Sequence, residues 1–148
     1  MNDTIRLLIT STCALCIAFG NASAEPSPES VVQAQVEAYN ARDIDAFLAT
    51  YRDDVQLFEF PDKPLSKGTS EMRASYEKLF TDPRLHAEIV KRITLGNTVI
   101  DHERVRLTLP AGPATVEAIA IYEVREGKIA SVWFRYGERK LEPAAGGR

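Results

Sequence analysis

The chain has 148 residues and a formal net charge of −3 at pH 7, with 45% hydrophobic and 26% charged side chains. That is the composition of one ordinary globular domain, long enough to bury a real core. No basic stripe exists, so nucleic acid is not an expected partner.

Residues 1–24 read as a signal peptide. The apolar run from Leu7 to Gly20 is too short to span a bilayer comfortably, so stable membrane insertion is not expected. It leads into Ala22-Ser23-Ala24, which fits the small-x-small rule for signal peptidase. Cleavage near Ala24 would deliver a periplasmic or secreted protein and remove Cys13 and Cys16, the only cysteines. The remaining chain then has no disulfide, no thiol nucleophile and no thiolate metal ligand. The expected folded domain spans residues 25–140, and residues 141–148, ending in "PAAGGR", are expected to be disordered.

Ser27 as cap and Pro28 at the first helical position start a helix whose apolar side carries Val32, Val36 and Tyr39. After "NARD", Asp43 caps a second helix with Ile44, Phe47, Leu48 and Tyr51. "DDVQLFEFPDKP" changes to a period of two and ends in prolines, predicting a short strand and a loop. A third helix is predicted from Ser70 to Phe80, with Met72, Tyr76, Leu79 and Phe80 as its apolar side. Beyond Pro83 the pattern is all strand, with a hairpin turn at Gly96-Asn97 and further turns at "PAGP" and "REGK". Helices first and a meander of long strands afterwards imply an α+β domain.

Strand alternation sorts the side chains of residues 98–109. One face carries Val99, Asp101, Glu103, Val105, Leu107 and Leu109; the other carries Thr98, Ile100, His102, Arg104, Arg106 and Thr108. The apolar face should meet the helices and take Asp101 and Glu103 inward with it, while His102 points out. Two inward carboxylates two residues apart lie about 7 Å from each other. At an effective dielectric of about 20 they repel by about 2 kcal/mol. Burial disfavours ionisation as well, so a raised carboxyl pKa is expected, at Asp101 first. On strand 114–124, Val116, Ala118, Ala120 and Tyr122 share a face, and the two alanines favour an unfilled pocket. Val132 and Phe134 would line it from the last strand, with Tyr39 and Glu103 adding polar groups. The opposite face carries Ile119, Ile121 and Trp133, an apolar patch suited to a homodimer interface.

"ARDIDAFLATYRDDVQLFEFP" together with "EGKIASVWFRYGE" resembles the nuclear transport factor 2-like superfamily, in its ketosteroid isomerase and SnoaL-like branch. The resemblance covers about residues 30–140. It implies a cone-like fold, with three N-terminal helices packed on a strongly curved antiparallel sheet, that pairs as a dimer. It places the isomerases' acidic general base at Glu59, but puts Gln35 and Ala120 where their two oxyanion donors would stand. An isomerase without those donors lacks its largest source of stabilisation. Similarity to limonene-epoxide hydrolases favours Asp101, yet leaves Val99 and Phe134 where that family has its Arg and second Asp.

No phosphate loop, nucleophile elbow or metal-ligand cluster is present, and His86 and His102 stand apart, so neither a metal nor a cofactor is expected. The expected function is binding of a small, largely apolar organic ligand. The enzymatic alternative is an isomerase, hydrolase or cyclase using Glu59 as base and Asp101 as acid or orienter.

Overall fold

The computed structural model describes residues 25–143. The expected leader, residues 1–24, lies outside them, as do residues 144–148 of the expected tail. Helix α1 (Pro28–Ala41) begins where the Ser27 side chain accepts from Ser30 N–H, and α2 (Ile44–Ala49) begins where Asp43 accepts from Ala46 N–H. Strand β1 (Tyr51–Glu59) and the short β2 (Lys63–Lys67) precede α3 (Gly68–Leu79). Four long strands complete the chain: β3 (His86–Leu95), β4 (Thr98–Leu109), β5 (Gly112–Arg125) and β6 (Lys128–Leu141).

The six strands form one curved, unclosed sheet in the order β2-β1-β6-β5-β4-β3. The meander β3 to β6 is antiparallel, as expected from its turns. The antiparallel expectation needs one correction, because β1 lies parallel to β6, with Leu57 opposite Val132 and Glu59 opposite Phe134. Strand β2 and helix α3 intervene before the meander, so the chain returns to β1 from its far end. The sheet also reaches further than residue 140. Glu142 N–H donates to Pro113 C=O at 2.9 Å, and its carboxylate pairs with Arg84.

The core lies between the helices and the inner face of the sheet. Phe47 is fully buried, with the rings of Tyr76, Tyr51, Phe80 and Tyr39 around it at centroid distances of 4.7, 5.1, 5.4 and 6.0 Å. Burial of one such ring contributes roughly 2–3 kcal/mol. Val55, Leu57, Ala120, Tyr122, Ile129 and Val132 supply the sheet side of this core. Beside this core, Tyr39 and Tyr76 also border, with Leu79, a space between the helices and the sheet.

Two bulges matter for the site. In β3, Ile89 faces Glu103 and Arg92 faces Asp101, with one extra residue between the two pairs. In β6, Tyr136 faces Ala118 and Arg139 faces Val116, again with one extra residue. A bulge shifts strand parity by one, so side chains three residues apart share a face. Gly137 sits at the second bulge, where a Cβ would stand 3.2 Å from the Glu117 carbonyl.

Candidate functional site

A cavity of about 280 Å³ lies between the sheet and the helices. Its floor is β4 from Glu103 to Leu109 with Val116 and Ala118 of β5. Phe134, Tyr136 and Arg139 of β6 form one side, and Tyr39, Tyr76 and Leu79 of the helices form the roof. The alternation argument puts Asp101 and Glu103 on the inner face, and both are buried there. Among the residues expected to line a pocket, Tyr39, Glu103, Ala118 and Phe134 do so. Ala120 and Val132 are fully buried in the neighbouring core instead.

The two inward acids have different surroundings. Asp101 accepts two hydrogen bonds from the Arg92 guanidinium, from Nε at 2.7 Å and from Nη2 at 2.7 Å, and Arg92 Nη1 also donates to Gln33 Oε1 at 2.9 Å. The pairing holds the Arg92 guanidinium above its ordinary pKa. Asp101 is therefore matched by a charge that the alternation argument did not supply, and it does not line the cavity. Glu103 has no cation hydrogen-bonded to it among the described residues. Its Oε1 accepts from the Tyr122 hydroxyl at 2.9 Å. Burial pushes its carboxyl up to about 7; the Tyr122 hydrogen bond opposes that rise, the Asp101 charge adds to it and Arg92 opposes it. The raised carboxyl expected on this face thus belongs to Glu103. Burial likewise raises the phenols of Tyr39, Tyr76 and Tyr136, so all three line the cavity as neutral hydrogen-bonding groups.

Glu59 is placed elsewhere. Its side chain is 39% exposed and bonded to Lys63 Nζ at 2.9 Å, which holds its carboxyl below the ordinary range. It does not line the cavity, so Glu59 and Asp101 do not meet there. Gln35 is buried, its Oε1 has no hydrogen-bond partner among the described residues, and it too lies outside the cavity lining.

Tyr136, Arg139 and Arg92 were not among the residues singled out by sequence. Tyr136 continues the Val132–Phe134 alternation and was within reach of it. The two arginines are turned inward by bulges, which alternation cannot anticipate. On the outer face, Trp133 stacks on Phe58 with ring centroids 5.7 Å apart, and Ile119 and Ile121 are partly exposed beside them. His102 lies on this face against Glu117 at 3.2 Å. Among the described residues, no group of three His, Cys, Asp or Glu side chains is placed to hold a metal ion, and no helix is long and apolar enough to cross a membrane.

The model of the SnoaL-like domain matches residues 32–132, across the helices, the first five strands and the start of β6. The chain belongs to the SnoaL-like domain family. Solved structures agree on the fold. An uncharacterized cystatin-fold protein from Novosphingobium aromaticivorans is 24% identical, with a TM-score of 0.68 over 74% of this chain and 97% of its own. An epoxide hydrolase/cyclase-like enzyme of salinomycin pyran-ring formation, SalBIII, is 17% identical, with a TM-score of 0.67 over 74% of this chain and 90% of its own. A computationally designed 17-OHP binder is 19% identical, with a TM-score of 0.67 over 76% of this chain and 94% of its own. No curated protein matches the chain. SnoaL-like folds therefore serve both as enzymes and as ligand binders, and the fold alone does not choose between them.

Proposed function

We propose that this SnoaL-like chain is exported and binds a small, largely apolar organic molecule in the cavity beneath Tyr39 and Tyr76. The observation that carries the reading is a mainly apolar cavity with one buried carboxyl, Glu103, on its wall. Glu103, whose carboxyl is pushed up to about 7 and so is about half protonated at neutral pH, and the neutral phenols of Tyr39 and Tyr136 suit a hydroxyl or carbonyl on an otherwise apolar ligand. Among the described residues no second acid lines that space; Asp101 is held by Arg92 and Glu59 by Lys63.

Native mass spectrometry of protein purified from its source tests this. A bound small molecule should be released on denaturation, and Ala118→Phe, which fills the cavity floor, should abolish it. An adduct retained in full by Ala118→Phe would sink the reading. The same intact-mass spectrum tests export, because the mature chain should begin at Glu25; retention of Met1 argues against it.

A second reading is favoured by Glu103 itself. A carboxyl titrating near 7 beside a cavity is tuned for general acid–base chemistry, so an isomerase- or hydrolase-type reaction would run through Glu103 rather than Glu59. Turnover of the released ligand lost in Glu103→Gln but retained in Glu59→Gln would select it.

The outer patch of Ile119, Ile121 and Trp133 supports a homodimer through the sheet face. Trp133→Glu should shift sedimentation towards the monomer, and a monomeric wild type at micromolar concentration would exclude that interface.

A further inference from the structure

A second concavity, of about 430 Å³, opens where the end of α1 meets the start of β3 and shares no lining residue with the cavity above. Its walls carry Arg42, Arg84, Arg106, His86 and Asn40. In a chain of net charge −3, three guanidinium groups on one cleft are a marked local excess of positive charge.

Two of these three guanidinium groups, those of Arg42 and Arg106, meet no carboxylate among the described residues. Arg84 pairs with Glu142, but its buried Nε has no hydrogen-bond partner among the described residues. Arg42 Nη1 donates only to the Leu85 carbonyl, at 3.2 Å, and has no carboxylate partner among the described residues. Arg106, exposed on β4 opposite His86, makes no side-chain hydrogen bond or ion pair among the described residues. Of the acids nearest along the chain, Asp43, next to Arg42, accepts from the Ala46 N–H at 3.0 Å as the cap of α2, and Asp82 is engaged by the Arg84 N–H at 2.9 Å and by Thr108 Oγ1 at 3.1 Å. Asn40, by contrast, makes two hydrogen bonds to the Ala87 backbone, its Nδ2 donating to the carbonyl at 2.9 Å and its Oδ1 accepting from the N–H at 2.7 Å.

The choice of residue at position 42 points the same way. Arg42 closes α1 in the left-handed region, at φ 57 and ψ 31, where its N–H caps the Ala38 and Tyr39 carbonyls. That backbone role suits glycine best, because a Cβ is disfavoured there. What arginine adds is a guanidinium on the cleft wall.

We propose that this cleft is an anion site for a compact, doubly charged oxyanion of the phosphate class, with Arg42 and Arg106 as its principal donors. Guanidinium forks match phosphate oxygens in bidentate fashion, and several of them on one wall favour a dianion over a monoanion. The proposal does not depend on what the apolar cavity holds.

Thermal unfolding of the purified chain at low ionic strength and pH 7 tests it, with sodium phosphate, glycerol phosphate and sodium chloride compared at equal ionic strength. A millimolar site should raise the midpoint by about 4 °C in 10 mM phosphate beyond the chloride control. Arg42→Gly should keep the unliganded midpoint, since glycine relieves the left-handed backbone, and should at least halve the phosphate shift. Arg106→Gln, on an exposed strand position, should do the same and carries the test if Arg42→Gly fails to fold. A larger shift with glycerol phosphate identifies the occupant as a phosphate monoester, and a larger one with inorganic phosphate as the free ion. Equal shifts in phosphate and chloride, or a phosphate shift undiminished by both substitutions, would overturn the site.

Discussion

Asp101 and Glu103 stand two residues apart on the same face of one strand, yet they sit in different worlds. Asp101 is wholly enclosed, clamped by a guanidinium at two 2.7 Å contacts, with the core residue Ala120 opposite on β5. Glu103 meets a phenol and an open cavity, with Ala118 opposite on β5 and Ile89 opposite on β3. The chemical group, the strand and the side of the sheet are the same. What differs is the residue that β3 brings across: arginine in one row, isoleucine in the next. Burial of a carboxylate therefore does not by itself set its role; the cross-strand partner decides whether a counter-charge meets it.

The sharpest way to break this comparison is to remove the clamp. Arg92→Met leaves the Asp101 carboxylate buried without its counter-charge and should cost about 3–5 kcal/mol in urea unfolding at pH 7. Arg92→Met/Asp101→Leu should cost less than Arg92→Met alone, because neither charge is then stranded. Asp101→Asn, which the sequence pattern alone would make stabilising, should destabilise, since it takes the carboxylate from Arg92. A loss below about 1 kcal/mol for Arg92→Met would show that water reaches Asp101.

The next effect is on Glu103 and depends on pH. Its folded pKa of about 7 lies above the ordinary 4.5, so the folded state holds this proton more tightly than the unfolded state does. The resulting stabilisation is fully present below about pH 4.5 and is lost as pH rises through about 7. Over that window the group contributes a change of about 3 kcal/mol. Glu103→Gln should therefore exceed the wild type in stability by up to that amount at pH 8, and the gap should close towards pH 4. A constant gap across denaturation curves from pH 4 to 8 would mean that Glu103 does not titrate in this range.

A smaller contrast compares space in the two rows. Ala120→Phe has no room beside Asp101 and should cost about 1–3 kcal/mol by overpacking. Ala118→Phe enters the cavity and should cost less than about 1 kcal/mol, as read by thermal or urea unfolding. The reverse order would relocate the empty volume. Smallest of all, His102→Gln lies on the outer face, 3.2 Å from a part-exposed Glu117, and should change stability by no more than about 0.5 kcal/mol.

Much of this was legible in the residues. Caps at Ser27 and Asp43 announced α1 and α2, and the turns at Gly96-Asn97, "PAGP" and "REGK" divided the meander correctly. Period-two reading put Asp101 and Glu103 inside and His102 outside. It also found Tyr39, Ala118 and Phe134 around the cavity. Less legible was β2, whose Pro64 and flanking lysines read as a loop, because an edge strand can carry proline where a central one cannot. The parallel docking of β1 on β6 was hidden as well, since the two strands lie far apart in sequence and no turn joins them.

The sequence by itself determined which way each side chain of β4 points, because strand parity is a local property fixed every two residues by the pleat. It likewise determined where the helices start and that two carboxylates enter the apolar face. Only the tertiary structure decided what those carboxylates meet. The bulge in β3 turns Arg92 inward to Asp101, and the bulge in β6 brings Arg139 to the cavity wall beside Tyr136. A bulge exists only relative to a partner strand, so its effect on parity is a property of the ladder and not of the segment that carries it.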